Sequence, residues 1–434
     1  MGPDLLGVDD MTGRKAAAVA LACALVLGSC TSKQPKSARG TKKTLRVAVL
    51  YTTAGQGGGL AQAVLGATGL VVARAKALGV EVQVVNQDYA GNIARIPKLL
   101  EDAKSRADAI VVGTNDPAVE PALRATTDIP LLYPVLSDDA LLTGSDNAFR
   151  FGPSNKAQAE KLVGFLAEHR KYRKMGILSD DTSYGKEGRT DLLDAMASAG
   201  VTPTMDETFI PGRDVHTSVA HAGQLKLDAL IIWSGSESEA ARIVVDVQKQ
   251  NFAYQIALSG NLANDTFAKN ASSQVTPVAF RDGLLSVGTW AGPWFRLQRI
   301  IKFYDDFKSE NSALAPVQAA SMYDAVLALV TAAQSNGTTP SDLTSGLESL
   351  HDFVGAGVPL TFGPDKHDGI DADDLAVYGF TKDQNSAGGE YFPDVDTGGG
   401  FFTVINASLD LPKSVAFLSP EVEESPTPEE SAAP

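Results

Sequence analysis

Thiols are almost absent from this 434-residue chain, whose two cysteines, Cys23 and Cys30, both lie within the first thirty residues. A disulfide framework, a cysteine-ligated metal site and a thiol nucleophile in the folded body are thereby excluded. Histidine is nearly as scarce: the five, His169, His216, His221, His351 and His367, show none of the usual zinc spacings, and no metal is expected. Cations are outnumbered as well. Against 52 Asp+Glu the chain sets 37 Lys+Arg, and a net charge of −15 works against a broad phosphate-binding surface, so nucleic acid is not an expected partner. Neither G-x-S-x-G nor H-E-x-x-H occurs. Ser236 follows a strand and imitates a nucleophile elbow, yet no histidine is linked to it by motif. In Gly55-Gln56-Gly57-Gly58-Gly59-Leu60 the third glycine of a dinucleotide loop is replaced by Leu60. An enzyme is therefore not expected, nor a cofactor. The acidic run Asp365 to Asp374 lacks calcium-loop spacing and reads as a structural turn.

What the amino terminus does have is an export pattern. From Met11 the chain reads MTGRKAAAVALACALVLGSC, with cations at Arg14 and Lys15, an apolar run from Ala16 to Leu27 and small residues before Cys30. Residues 1–29 are predicted to be a signal peptide, with translation starting at Met11, because Asp4, Asp9 and Asp10 suit a cationic leader badly. Leu27-Gly28-Ser29-Cys30 resembles the lipobox of bacterial lipoproteins, which implies a lipid on Cys30 and a place on the extracytoplasmic face of the cell membrane. Residues 30–43 then form the lipidated cysteine and a flexible polar tether. The Pro/Glu/Ser-rich stretch 419–434 is predicted to be a disordered acidic tail.

Between these ends, apolar β-rich runs alternate with stretches of helical length. LRVAVLY, EVQVVNQD and ADAIVVGTND read as strands around helices near Leu60–Leu78 and in IARIPKLLEDAKSR. After Arg150 the rhythm restarts: helix Ala157–His169, strand KMGILSDD, helix Gly188–Ala199, strand VTPTMDETFI, helix Val215–Leu225, strand LDALIIWSG, helix Ser238–Gln250 and strand YQIALSG. Such alternation predicts an α/β architecture of two Rossmann-like lobes with parallel sheets covered on both faces. Ligands of such sheets bind outside the carboxyl ends of the strands. The candidate loops are Thr52–Gly59, Thr114–Ala118 and Pro134–Asp139 in the first lobe, and Asp180–Gly188, Ser234–Ser238 and Gly260–Asp265 in the second.

The order of these pieces resembles the type I solute-binding proteins of branched-chain amino acid and amide ABC transporters, from Leu45 to Phe417. The resemblance is carried by LLYPVLSDDALLTG, FRFGPSNKAQAEKLVGFLAE, ILSDDTSYGKEG, LDALIIWSGSESEAARIVVDVQKQNF, AASMYDAVLALVTAAQ and GLESLHDFVGAGVPLTFGPD, in that order. It implies a three-strand hinge and lobes of 44–150 plus 290–345 and 151–289 plus 346–418. It also implies a lipid-anchored monomer that captures a small polar, amino-acid- or amide-like solute and hands it to an ABC permease. The alternative is a ligand-sensing or envelope-associated lipoprotein that uses the same clamp without transport. Candidate ligand contacts are Thr52, Thr53, Asn115, Asp116 and Ser137 from the first lobe and Tyr184, Ser236, Glu237 and Asn261 from the second. Tyr184 matches the family tyrosine that lines the cleft, and Glu237 or Glu239 is the acid for a ligand ammonium. Pro117 falls near the family's carboxylate-binding serine and supplies neither hydroxyl nor N–H. With Asp116 beside it, a simple zwitterionic amino acid is not the expected ligand.

Overall fold

The structure, a computed structural model, describes residues 43–55, 57–123, 128–252, 254–262, 267, 284–289, 298–311, 317–381 and 401–407. The signal peptide, Cys30, all of the tether but its last residue, and the acidic tail lie outside the described residues. The chain opens with β1 (Lys43–Tyr51), α1 (Ala61–Ala75), β2 (Val80–Asp88), α2 (Ile96–Arg106), β3 (Ala109–Val112), α3 (Glu120–Leu123), β4 (Leu131–Tyr133) and β5 (Ala148–Arg150). These strands form one parallel sheet in the order β2-β1-β3-β4-β5. Next come α4 (Asn155–Gly164), β6 (Met175–Asp180), α5 (Ser183–Ser198), β7 (Met205–Phe209), α6 (His216–Gln224), β8 (Ala229–Trp233), α7 (Glu237–Lys249), β9 (Gln255–Leu258) and β10 (Leu284–Thr289). The chain continues with α8 (Gln298–Asn311), α9 (Val317–Ser335), α10 (Pro340–Glu348), β11 (Leu375–Thr381) and β12 (Phe401–Ala407). The second sheet runs β12-β11-β10-β9-β8-β6-β7.

Burial on both faces explains the unbroken apolar strands. Every residue of β3 and of β8 is buried. Along β1 the side chains alternate, Val47 and Val49 joining the cluster under α1 while Ala48 and Leu50 join a second cluster with Ile96 and Leu100 of α2. Helices α8 and α9 return to the first sheet and pack on α1, and α10 packs on α9. That return accounts for the helical stretch Gly58–Ala75, which with its three residues before α1 is long and apolar enough to cross a membrane: α1 packs on the first sheet and on α9.

Two expectations need correction. The second sheet is not wholly parallel, since β11 runs antiparallel to β10 and β12 antiparallel to β11. Helix α5 begins at Ser183, five residues before the expected Gly188, because Thr182 caps it by accepting the Gly185 N–H at 3.2 Å. Gly185 and Gly188 are contact positions of the helix. A Cβ on Gly185 would stand 2.2 Å from the Asp180 carbonyl oxygen, and one on Gly188 would stand 1.9 Å from Trp233 Nε1.

Asp324 of α9, 2% exposed, anchors the segment that leads back to the second sheet. It accepts the N–H of Gly357 at 2.8 Å and that of Ala356, and a Cβ on Gly355 would collide with its carboxylate. Asp324→Ala would strand both donors in the interior. We expect a loss of about 2–3 kcal/mol in equilibrium urea unfolding, whereas Asp324→Asn, which still accepts one bond, should lose less.

Candidate functional site

At the carboxyl edge of the first sheet the predicted residues divide by role. Thr52, 1% exposed, braces its own loop: its hydroxyl donates to the Ala54 carbonyl at 2.7 Å and accepts the Gly91 N–H at 2.8 Å. Thr53 is exposed and donates from both N–H and hydroxyl to Asp88, at 3.2 and 2.7 Å. Burial pushes the Asp88 carboxyl up, but these bonds and the Ala90 N–H outweigh it and hold the group below the usual carboxylate range. In the next loop the Thr114 hydroxyl meets the Tyr89 phenol at 3.0 Å and accepts the Asp116 N–H at 3.2 Å. The first loop closes against it at Gly57, whose φ of 86° and lack of a Cβ let it sit where a side chain would meet Thr114 Oγ1 at 2.7 Å.

Asp116 is buried rather than presented to solvent. Its Oδ1 accepts the Ala118 N–H at 3.0 Å and caps the short turn Pro117–Val119. Burial pushes its carboxyl above the usual range, against that bond. Asn115 beside it is exposed. Ser137 is half-buried, and its carbonyl accepts the Asn155 N–H at 3.1 Å and Arg150 Nη1 at 3.0 Å.

A buried polar network supports the second sheet's loops. The Asp180 carboxylate, 0% exposed, accepts Ser234 Oγ at 2.9 Å, the Gly235 N–H at 2.8 Å, and both the N–H and hydroxyl of Thr182. It thereby ties the loop after β6 to the loop after β8. Tyr184 lies in the first turn of α5, 6% exposed, stacked on Trp233 with ring centroids 6.1 Å apart. Its hydroxyl donates to Asn261 Oδ1 at 2.7 Å, and Asn261 Nδ2 donates to the Ser234 carbonyl at 2.9 Å. Ser236 caps α7 by accepting the Glu239 N–H at 3.4 Å, which accounts for its place after a strand. Glu237 follows it, half-buried, in the first turn. Tyr184 and Asn261 are thus brought together directly, and the Ser236 loop joins them through Ser234.

The strand-end loops of the two sheets touch. Asp139, after β4, donates its N–H to Glu187 Oε1 of α5 at 2.7 Å, and Asn155 Nδ2 at the start of α4 donates to Oε2 at 2.6 Å. The turn at Pro117–Val119 packs on α5 as well. Behind this contact, Arg150 ends β5 at 2% exposure and gathers several acceptors: Asp139 Oδ1 at 2.7 Å, both carboxylate oxygens of Asp368, and the Ser137 and Asp138 carbonyls at 3.0 Å each. Burial, with Asp139 and Asp194 adding to it, pushes the nearby Asp191 carboxyl up to about 7. Asp138, Arg150, Asn155, Asp180 and Glu187 were not singled out in the sequence. Asp138, Asp180 and Glu187 do fall inside candidate loops, and Glu187 stands three residues after Tyr184, one helical turn along the same face. Among the described residues no group of His, Cys, Asp and Glu is arranged to hold a metal ion.

Comparison with known proteins adds to this geometry. The profile of the family described as periplasmic binding protein matches residues 44–384. Among curated proteins there is no significant match. Similar folds occur in an ABC transporter substrate-binding protein from Sphaerobacter thermophilus (17% identity, TM-score 0.70), with 86% of this chain and 100% of that one covered. The branched-chain amino acid transporter substrate-binding protein LivJ from Streptococcus pneumoniae, in complex with isoleucine, is 19% identical at a TM-score of 0.63, covering 79% of this chain and 97% of its own. The leucine-binding protein LivK from Thermotoga maritima is 16% identical at a TM-score of 0.64, with coverages of 77% and 95%.

Proposed function

The chain belongs to the periplasmic binding protein family, and we propose that it is a lipid-anchored, extracytoplasmic member that captures a small polar solute for an ABC importer. The observation that carries this reading is the contact between strand-end loops of the two sheets, Asp139 N–H to Glu187 at 2.7 Å, since a solute clamp closes at that edge. The two lobes would be 44–150 plus 290–345 and 151–289 plus 346–418, a division supported by the two separate sheets and by the packing of α9 on α1. The seat for the solute lies between exposed or half-buried groups, Thr53, Asn115 and Ser137 on one side and Ser236 and Glu237 on the other. Thr52, Asp116, Tyr184 and Asn261 are buried or engaged and hold those loops from behind. The names of the solved relatives, one a leucine-binding protein and one holding isoleucine, favour an amino-acid- or amide-like solute.

Melting curves of the protein against amino acids, primary amides and small polyols test the reading. One chemical class should raise the melting temperature in proportion to the logarithm of its concentration, with saturable heat in calorimetry. A complete lack of binding across those classes would overturn it. For the anchor, Cys30→Ala is expected to abolish labelling by radioactive palmitate and to release the protein from the membrane fraction. A variant that stays in the pellet through a salt wash would defeat the lipid on Cys30.

A further inference from the structure

We infer that the amino-terminal edge of the second sheet is a docking surface for polyanionic chain, and that its occupant is the acidic carboxyl-terminal segment of this same protein, residues 419–434. The edge is built by the turns that enter β6, β7, β8 and β9, which run parallel and therefore begin side by side. Residues 168–174, 199–204, 225–228 and 249–254 make up those turns. They carry the cations Arg170, Lys171, Arg173, Lys174, Lys226 and Lys249, all exposed, against the acids Glu168 and Asp228. In a chain with 37 Lys+Arg and 52 Asp+Glu, that ratio reverses the overall balance. The backbone alone does not ask for lysine here. Lys171 and Lys226 have φ of 59° and 53°, the left-handed region in which glycine is the common residue after a helix, so both positions hold a charge where glycine would relax the turn.

Two of these cations are partly engaged. Arg173 Nη1 donates to the Ala167 and Tyr172 carbonyls at 2.8 and 2.9 Å, and the Arg170 guanidinium lies 5.5 Å from the centre of the Phe165 ring. Asp228 accepts the main-chain N–H groups of Lys174 and Arg173 at 2.9 and 2.8 Å, and those bonds hold it below the usual carboxylate range. The ammonium groups of Lys171, Lys174, Lys226 and Lys249 make no hydrogen bond or ion pair with the described residues. Attraction to the carboxyl ends of α6 and α7 accounts for Lys226 and Lys249, but not for four cations within residues 170–174.

Charge and connection select the occupant. Residues 419–434 hold Glu421, Glu423, Glu424, Glu429 and Glu430 and no cation. They follow β12, a strand of this sheet that ends at Ala407 on the opposite edge, because β11 and β12 each reverse direction. The chain from Ala407 to Glu421 can extend about 46 Å. Five strand spacings, about 24 Å, and a strand length of about 20 Å separate Ala407 from Lys174, a diagonal of about 31 Å, so the glutamates reach the edge. An anionic bilayer would be repelled by the rest of a chain that carries −15, whereas the tail arrives already linked to the sheet, at high effective concentration. Docked there, it keeps other polyanions off the edge.

Carbodiimide, which joins a carboxylate to an amine without a spacer, tests the contact on the full chain in neutral detergent, with no bilayer present. Mass spectrometry should find cross-links from the tail glutamates to Lys171, Lys174, Lys226 and Lys249. Their yield should fall about fivefold or more as salt rises to about 1 M and the Debye length shrinks to about 3 Å. The combined variant Glu421→Gln, Glu423→Gln, Glu424→Gln, Glu429→Gln and Glu430→Gln removes the tail's charge and touches no contact of the described residues. It should raise the acetylation rate of those four lysines severalfold and leave that of exposed Lys186, at the opposite edge of the same sheet, unchanged. Tail cross-links scattered over lysines of both sheets, or acetylation unchanged in the combined variant, would overturn the docking. Protection of the four lysines that appears only in membranes would overturn it as well, and would make the bilayer the occupant. None of these outcomes depends on solute binding, so the docking and the clamp reading fail separately.

Discussion

Arg150→Met is expected to destabilise the folded protein by about 3 kcal/mol. Methionine roughly conserves the length and the apolar stem of arginine but removes every donor of the guanidinium. Left behind are the Asp139 and Asp368 carboxylates and the Ser137 and Asp138 carbonyls, all of which face a group that is 2% exposed. The estimate sits at the lower end for a broken buried ion pair because Asp139 and Asp368 keep some solvent contact, their side chains being 34% and 27% exposed. Arg150→Lys should recover less than half of the loss, since a single ammonium cannot grip Asp368 with two nitrogens while also reaching two carbonyls. Equilibrium urea unfolding measures the difference. Hydrogen exchange offers a second view: the main chain at Arg150 bonds to His367 at 2.8 Å and Gly369 at 3.0 Å, so amides near 367–369 should lose protection with the side chain. A loss below about 1 kcal/mol would mean that these carboxylates are hydrated in solution and that Arg150 is an ordinary surface pair.

Tyr184→Ala is expected to cost about 3–4 kcal/mol without any ligand present. The sequence placed this tyrosine in a strand-end loop, and the family resemblance put it on the lining of the cleft. In the fold it is 6% exposed in the first turn of α5, its ring stacked on Trp233 and its hydroxyl bonded to Asn261. Truncation opens a cavity beside Trp233, which is itself fully buried and cannot follow. Tyr184→Phe separates the two contributions. It keeps the stacking and loses one hydrogen bond, while Asn261 Oδ1 still accepts Ser259 Oγ at 2.6 Å, so about 1 kcal/mol is expected. Urea unfolding of the ligand-free proteins compares them. If Tyr184→Ala keeps wild-type stability and loses affinity for a solute, the ring lines the cleft and the second sheet's loops open farther than this structure shows.

Which residues would cluster at the strand ends was legible in part. Thr52, Asn115, Asp116, Ser137, Tyr184, Ser236 and Asn261 all lie in or next to strand-end loops, because strand ends can be read from where apolar runs give way to small and polar residues. Their orientation was not legible. Asp116 and Ser236 are short polar residues that serve equally as ligand contacts or as caps, and both turn out to cap. Glu237 and Glu239 illustrate the same limit, since the helix start that decides their register depends on which serine accepts the Glu239 N–H.

What the sequence determined by itself is the α/β alternation and the parallel core: strands such as Ala109–Val112 and Ala229–Trp233 are apolar at every position because both faces are buried, and that pattern is a local property. The tertiary structure alone decided the partners. Arg150 binds Asp368 across 218 residues, Asn155 and Asp139 meet Glu187 from two other elements, and Gly188 serves as a helix contact because Trp233 of β8 stands opposite it. A charged or small residue carries no record of what will stand opposite it. Its environment, and with it its protonation and role, exists only once distant loops have been brought within a few ångströms.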